Sequence, residues 1–246
     1  MRAASLHTRD WEELGELDPL WAILSDPQKQ FGKWGLEDFL RTGEEEVAKL
    51  MQQAESLQLP RRRRQAIDFG CGVGRLTRAL RAYFPDCHGV DISDSMLETA
   101  RRLNPGCDFR KGHDLRSFSD GSVDLIYSTL VLQHQPDVKS VAAILADMMR
   151  VLAPEGLLVF QMPLHLYWRR RLQPRRRLYR AFRAIGLPHT LLYQRLKLNP
   201  IRMLALPKDE VEAIIRRASG QVVRLDINRE PSGGYANGIY YCFKKA

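Results

Sequence analysis

Residues 66–80 read AIDFGCGVGRLTRAL, which combines a short apolar strand, a glycine-rich loop and the start of an amphipathic helix. Glycines at positions 70, 72 and 74 let the backbone turn sharply and lie close to a ligand, because a Cβ atom there would clash with it. A second apolar strand, residues 87–91, then ends at Asp91. This order predicts a parallel sheet with a ligand site at the carboxyl ends of its strands.

The spacing of the loop indicates the kind of ligand. A carboxylate that ends a strand, as Asp91 does, can accept hydrogen bonds from both hydroxyls of a ribose. Dinucleotide sites use G-x-G-x-x-G, whose third glycine lets a helix pack beneath a pyrophosphate. Here the third glycine comes one residue early and Arg75 occupies the dinucleotide position. The pattern therefore disfavours a nicotinamide-dependent oxidoreductase.

Strands and helices alternate along the rest of the chain, which predicts the α/β class with helices on both faces of a sheet. The expected strands are 66–69, 87–91, 108–112, 123–128 and 157–162, and the expected helices are 74–83, 94–103 and 138–152. A helix from Lys208 to Gly220 and strands 221–227 and 239–244 follow. The last two strands are joined directly, so we expect an antiparallel hairpin, because a parallel join would need a crossover.

The D-x-G-x-G-x-G pattern of residues 68–74 resembles motif I of class I S-adenosylmethionine (SAM) methyltransferases. The strand DLIYSTLVLQH, residues 124–134, resembles motif IV of their small-molecule, ubiquinone-biosynthesis-like (type 11) branch. The resemblance covers residues 64–162 by motifs and 208–246 by topology. It implies a Rossmann-like seven-stranded sheet of order 3-2-1-4-5-7-6 with an antiparallel last strand. It also implies an enzyme that uses SAM, releases S-adenosylhomocysteine, and methylates an O or N atom of a small-molecule acceptor.

The same resemblance assigns cofactor contacts to particular residues. Asp68, Gly70, Gly72 and Gly74 match the positions that hold the methionyl part of SAM, and Asp91 matches the acid that binds the ribose. An unpaired carboxylate in a dry strand is costly, which makes a purely structural role for Asp68 difficult to explain.

Further family positions surround the adenine and the sulfonium. Ile92 and Met96 match apolar residues that flank the adenine, although Met96 could equally pack its helix against the sheet. Asp114 matches an acid that accepts from the adenine amino group, with the amide of Leu115 reaching a ring nitrogen; a loop aspartate also forms turns. Leu130 is expected near the sulfonium.

Methyl transfer requires alignment of donor and acceptor, exclusion of water and, for a hydroxyl acceptor, removal of a proton. The cofactor's charge already activates the methyl group, so a general base is optional. His134 is the first candidate, because imidazole titrates near neutral pH and this position faces the active edge of the sheet. A structural role as a cap is the alternative. His165, after the fifth strand, is the second candidate.

We divide the chain into four regions: an N-terminal helical lid at 1–60, a SAM-binding core at 61–162, a basic helical insertion at 163–207, and a C-terminal helix and hairpin at 208–246. Trp34 lies in a segment that resembles the lid over the methionyl end of the cofactor. Ordinary core packing is the alternative for this residue.

The insertion gives the main clue to a partner. The chain has a net charge of +9, and residues 163–207 contain eleven Lys or Arg and no Asp or Glu. A helix near 175–185 separates an apolar stripe from Arg176, Arg180 and Arg183. We expect the 169–202 segment to cover the site, to accommodate an anionic or lipid-like acceptor, and to contact an anionic membrane surface or an acidic substrate. RNA methylation is an alternative, but no RNA-binding appendage accompanies the insertion, and the absence of a D/N-P-P-Y/F motif disfavours duplex DNA.

Other sequence features bear on the localisation of the protein and on metal binding. The N-terminus lacks an apolar signal segment and no run of 18 apolar residues exists, so we predict a cytoplasmic protein, peripheral to a membrane if the insertion binds lipid. The four cysteines show no metal-ligand spacing, so we expect no metal. A protein that binds SAM without catalysing methyl transfer is a further alternative. A closed cavity over the expected position of the methyl group would favour this alternative. Acceptor identity and oligomeric state are not determined by the sequence.

Overall fold

The computed structural model describes residues 2–230 and 235–244. Its seven strands are β1 (Gln65–Phe69), β2 (Asp86–Asp91), β3 (Asp108–Lys111), β4 (Val123–Ser128), β5 (Leu152–Leu166), β6 (Gly220–Glu230) and β7 (Tyr235–Lys244). The described helices are α1 (Arg2–Leu17), α2 (Pro19–Ile23), α3 (Leu36–Ser56), α4 (Arg75–Leu80), α5 (Asp94–Leu103), α6 (Val138–Val151), α7 (Trp168–Leu172), α8 (Pro174–Ala184), α9 (His189–Gln194) and α10 (Lys208–Arg217). A 3-10 turn spans Leu132–His134.

The strands form one sheet of order β3-β2-β1-β4-β5-β7-β6. β1 to β5 pair in parallel, and β7 runs antiparallel between β5 and β6. The expected fold is therefore confirmed, including the antiparallel hairpin. One core lies between the sheet and helices α6 and α10, and a second lies between the opposite face and helices α3 and α4.

Side-chain caps mark the start of two helices, α5 and α6. The Ser93 hydroxyl accepts from the Met96 amide at 3.2 Å and begins α5, which spans 94–103 as predicted. Asp137 caps α6 in the same way through the Ser140 amide at 2.8 Å. β5 is much longer than the predicted 157–162, because its carboxyl half continues to pair with β7 as far as Leu166. The turn between the last two strands was expected over residues 231–238, but residues 235–238 belong to β7, and residues 231–234 lie outside the described residues.

Helix α3 belongs to the core, although the sequence suggested a lid over residues 1–60. Its Gly43 lies so close to α4 that a Cβ atom would stand 2.7 Å from the carbonyl oxygen of Arg75. The buried Arg75 guanidinium pairs with the Glu46 carboxylate at 2.7 Å, and the Tyr127 hydroxyl donates to the same carboxylate at 2.8 Å. The arginine that replaces a dinucleotide glycine therefore joins α3 to α4, and Tyr127 joins the same carboxylate of α3 to the sheet. Among the described residues of this region, those that line the cleft at the carboxyl ends of the strands come from α1 and α2.

The insertion forms a small helical layer of its own. Tyr179, Leu192 and Leu198 make its buried centre. Helix α8 docks on α1, where the Arg183 guanidinium pairs with Glu13 at 2.6 Å and the Tyr179 hydroxyl donates to Glu13 at 2.9 Å. Among the described residues, no helix is both long and apolar enough to cross a bilayer.

Candidate active site

A cleft of about 470 Å³ opens at the carboxyl ends of β1, β2 and β4. This size falls within the roughly 300–1,000 Å³ that is usual for small-molecule sites. Residues from the glycine loop, from the end of β2 and from the segment after β4 form its walls. Helices α1 and α2 close it with His7, Thr8, Trp11, Ala22 and Ile23.

The glycine loop lines the cleft at two positions that require glycine. Gly70 and Gly72 have φ angles of +78° and +51°, in the left-handed region. A Cβ atom on Gly72 would stand 2.5 Å from the Ile23 side chain, and one on Gly70 would overlap Val131. Gly74, with φ of +82°, differs from expectation, since it does not line the cleft. Its missing Cβ makes space for Phe109 and Asn104, so its role is packing.

Asp91 lies on the wall of the cleft, where the sequence placed the ribose acid. One carboxylate oxygen accepts from the Gly72 amide at 2.8 Å and the other from the Ser93 amide at 3.0 Å. Each oxygen keeps further acceptor capacity for a ligand. Burial raises the pKa of Asp91, and the two amides act in the opposite direction. Ile92 and Met96 line the same wall, and their contact with an adenine stays a prediction.

Asp68 lies beneath the loop and outside the lining of the cleft. The residue is 1% exposed, and its carboxylate accepts from the Thr77 hydroxyl at 2.7 Å. Burial raises the pKa of Asp68 to about 7. Because its partner is the first part of α4, Asp68 ties that helix to β1 and positions the loop, and the structure does not place it against the methionyl group.

The residues after β3 differ from the expected adenine contacts. The Leu115 amide donates to the Asp147 carboxylate of α6 at 2.5 Å, so it is not available to a ring nitrogen. Asp114 pairs with Arg116 at 3.1 Å and lies outside the lining. Lys111, Gly112 and His113 line this part of the cleft in their place.

The segment after β4 carries an unusual backbone at the expected methyl position. Leu130 lines the cleft with a φ of +59°, which is strained for a bulky residue. Such strain concentrates at functional sites. Past Leu130 the cleft continues along Gln135, Pro136, Ser140 and Ile144, which leaves open space for an acceptor. This openness does not favour a binding module without turnover.

His134 does not line the cleft, in contrast to the expectation of a general base. Its Nδ1 lies 2.5 Å from the Arg202 carbonyl oxygen and must donate to it, and its Nε2 lies 3.2 Å from the Gln133 side-chain amide. Burial lowers the pKa of His134 to about 4, although the bond to Arg202 acts in the opposite direction. Both ring nitrogens are engaged, so the residue has a structural role.

This histidine ends a hydrogen-bond chain that starts in the cleft. The Thr129 hydroxyl, on the wall of the cleft, donates to Gln161 at 2.6 Å. Gln161 in turn lies 3.5 Å from Gln133, which contacts His134. The chain therefore links the cleft wall at Thr129 to the backbone of Arg202.

Two further candidates lie away from the cleft. His165 is exposed on β5, opposite Ala236 of β7, and its ring meets Tyr167 edge-on at 5.1 Å. Trp34 donates from its indole nitrogen to the Leu24 carbonyl at 3.1 Å and packs edge-on against Phe39. Its position supports the core-packing alternative, because α2 occupies the place expected for the lid segment.

The insertion does not cover the cleft directly, because α1 lies between them. No described residue of 163–207 belongs to the lining of the cleft. A second cavity of about 70 Å³ opens beside it and is lined by Arg176, Arg180 and Arg202. His7, Trp11 and Pro136 border both spaces. The expected N-terminal lid includes α1, but its lining residues His7, Thr8 and Trp11 were not predicted, because Trp11 and Leu14 indicate an apolar helix face without showing what it covers.

Residues 67–160 match the family model described as a methyltransferase domain. Trans-aconitate 2-methyltransferase from Methylobacterium radiotolerans is 40% identical over 125 residues, which cover 50% of this chain and 45% of that protein. The protein of the same name from Azoarcus sp. is 38% identical over 100 residues, which cover 39% of this chain and 38% of that protein. The chain thus matches less than half the length of these relatives.

Solved structures agree with this assignment at the level of the fold. A SAM-dependent methyltransferase from Leishmania major has a TM-score of 0.64 at 14% identity and covers 97% of this chain and 82% of its own. Magnesium protoporphyrin IX methyltransferase from Synechocystis, solved with bound S-adenosylhomocysteine, has a TM-score of 0.55 at 15% identity, with coverages of 88% and 91%. Residues 67–160 are thus similar to the methyltransferase domain, and the chain as a whole has the fold of these SAM-dependent methyltransferases.

Proposed function

We propose that the protein transfers the methyl group of SAM to a carboxylate oxygen of a small acidic acceptor. The observation that carries this proposal is one continuous cleft that runs from Asp91 past the strained Leu130 to Pro136 and Ser140. The relatives named trans-aconitate 2-methyltransferase support an acidic acceptor, although the match covers only part of them.

The residues of the cleft fit the cofactor. Asp91 would accept from the ribose hydroxyls, while Ile92 and Met96 would flank the adenine. Gly70 and Gly72 would admit the methionyl part, because a Cβ atom at either position would already collide with Val131 or Ile23.

When bound, SAM supplies a methyl group on a positively charged sulfur. A carboxylate oxygen supplies the electron pair for the new C–O bond, and the electrons of the broken C–S bond remain on sulfur as S-adenosylhomocysteine forms. No proton is released, so a carboxylate acceptor needs no general base. The engagement of both nitrogens of His134 is consistent with this chemistry. The protein's own contribution is alignment and exclusion of water by α1 and α2.

An acceptor screen scored by S-adenosylhomocysteine release tests the proposal. The pools should include di- and tricarboxylic acids, their methyl esters, amines, quinone-like phenols, glycans and RNA. We expect turnover with free carboxylic acids and none with the fully esterified compounds. Turnover only with amines or RNA would contradict the proposal, and SAM binding with no turnover in any pool would identify a binding module.

We propose in addition that the outward face of the insertion rests on an anionic lipid surface. Leu178 and Ile185 of the α8 region are 49% and 71% exposed, on the side away from α1. Arg175 and Arg177 are exposed beside them, and Leu172 and Leu196 are 48% and 47% exposed nearby. Apolar and cationic side chains on one face suit a negatively charged membrane surface. The side chains of Arg169 and Arg170 lie outside the described residues.

A further inference from the structure

The small cavity beside the cleft, defined by Arg176, Arg180 and Arg202 and called here the arginine cavity, concentrates positive charge. Asp10 is the carboxylate among its described lining residues, and its nearest arginine contact is Arg180 at 4.0 Å. Three guanidinium groups therefore face one carboxylate in a partly buried space. Glu13 does not compensate the excess here, because it pairs with Arg183 on a neighbouring part of α8.

Among the described residues, the hydrogen bonds of Arg176 and Arg202 occupy only part of their donors. The Arg176 Nε donates to the Pro200 carbonyl at 3.2 Å, and Arg202 donates to the Pro136 carbonyl. Each guanidinium has five N–H donors in a planar fork that matches a carboxylate. Backbone carbonyls hold the side chains in place but do not neutralise them.

The excess of positive charge in the cavity contributes to the lowered pKa values of two of its lining residues, Arg176 and His7. Burial lowers the pKa of Arg176 to about 10, and the nearby Arg180 and Arg202 contribute in the same direction. Burial, with Arg202 and Arg176, lowers the pKa of His7 to about 4, so this imidazole is neutral near pH 7. Clusters of like charge that perturb one another in a cavity are typical of binding sites.

The cavity is placed to hold one end of a molecule that reacts in the cleft. His7, Trp11 and Pro136 border both spaces, so the two are adjacent, and a ligand that occupied both would pass beside these residues. The chain from Thr129 through Gln161, Gln133 and His134 to the Arg202 carbonyl links the cleft wall to the cavity. A volume of about 70 Å³ suits a single small group rather than a whole acceptor.

We propose that the arginine cavity binds a second carboxylate of the acceptor, remote from the oxygen that is methylated. The substrate class is therefore a small di- or tricarboxylate, and this inference rests on the proposed function. Arg176 and Arg202 grip the remote carboxylate, and His7 contributes a neutral hydrogen-bond donor. His134 is a positioning residue, because it acts through the backbone of Arg202.

Calorimetric binding of propane-1,2,3-tricarboxylate to the full chain, with S-adenosylhomocysteine present, tests the cavity without turnover. The trimethyl ester of the same molecule is the neutral control. We expect the acid to bind and the ester not to bind. Arg176→Gln and Arg202→Gln should each lower the binding affinity for the tricarboxylate by at least about tenfold, which is the usual effect of losing one charge-assisted hydrogen bond. Arg177→Gln, one residue from Arg176 on the exposed side, should bind as the unmodified chain does.

Kinetics and folding controls separate the possible outcomes. With a carboxylate acceptor from the screen, Arg202→Gln should raise KM by about tenfold while the Kd of S-adenosylhomocysteine is unchanged. Arg202→Lys, which keeps the charge, should recover part of the affinity and guards against a folding defect. Equal binding of acid and ester, or equal affinity in the Arg176, Arg202 and Arg177 variants, would overturn the cavity proposal. The two proposals can fail separately. If the chain does not bind S-adenosylhomocysteine, the proposed function is refuted. Binding of the tricarboxylate, measured without S-adenosylhomocysteine, still tests the cavity.

Discussion

At the scale of the residue, position in the fold decides the role of each polar side chain. His134 follows the active strand, yet its ring is 8% exposed and both nitrogens have partners. Asp68 and Asp91 end neighbouring strands, but only Asp91 reaches the cleft, because Thr77 holds the Asp68 carboxylate underneath. Sequence spacing identifies which residues stand near the edge of the sheet. It does not determine which way a side chain turns there.

The buried state of His134 makes a testable contribution to acid sensitivity. The unfolded chain binds a proton at this histidine near pH 6.5, whereas the folded protein does so only near pH 4. Stability from this residue is therefore complete above pH 6.5 and is lost as the pH falls toward 4. The His134→Gln variant has no imidazole to titrate at this position. Between pH 7.5 and pH 4.5, the free energy of unfolding of the unmodified protein should therefore fall by about 2–3 kcal/mol more than that of the variant.

Urea unfolding of the two proteins at a series of pH values measures this difference. Asp10 and His7 also titrate in this range. Both residues are present in the two proteins, so their contributions to the pH dependence of stability largely cancel when the proteins are compared. Parallel stability curves would contradict the buried, neutral state of His134.

At the scale of the element, the insertion has two faces with different environments. The inner face of α8 carries Arg176, Arg180 and Arg183 toward α1 and the arginine cavity. The outer face leaves Leu178 and Ile185 exposed. The sequence predicted the amphipathic helix and its basic stripe correctly. It could not show that the stripe faces the protein, because the acidic partners Asp10 and Glu13 come from α1, more than 150 residues earlier.

The outer face predicts binding to anionic vesicles. The unmodified chain should sediment with vesicles that contain phosphatidylserine and not with pure phosphatidylcholine. Leu178→Ser combined with Ile185→Ser should reduce the bound fraction severalfold, because each change removes roughly 1.5–3 kcal/mol of apolar burial in the lipid. Val223→Ser, an exposed residue of β6, is the matched control and should have no effect. Equal sedimentation of both variants, or retention on RNA with no binding to vesicles, would contradict a lipid-binding face.

At the scale of the whole molecule, the sheet was predictable and the cover of the site was predictable only in part. The final hairpin follows from the direct connection of its strands, and the strand order was implied by the resemblance to class I SAM methyltransferases. An N-terminal helical cover was expected, but not which of its helices form it. The assignment of lid and core within residues 1–60 depends on tertiary packing. Gly43 and Arg75 draw α3 into the core, and α1 and α2 are left to close the cleft. The length of β5 also depends on a distant partner, β7.

The most direct test of the account is a calorimetric titration of SAM into the full chain, into Asp91→Ala and into Glu98→Ala. Glu98 lies exposed on α5, close in sequence to Asp91, and serves as the control. We expect SAM to bind the unmodified chain and Glu98→Ala alike, and NAD to bind neither. Asp91→Ala should lower the affinity for SAM by about a hundredfold, because two hydrogen bonds to a charged group are lost. Undiminished SAM affinity in Asp91→Ala, or preference of the unmodified chain for NAD, would contradict the assignment of the cleft to SAM.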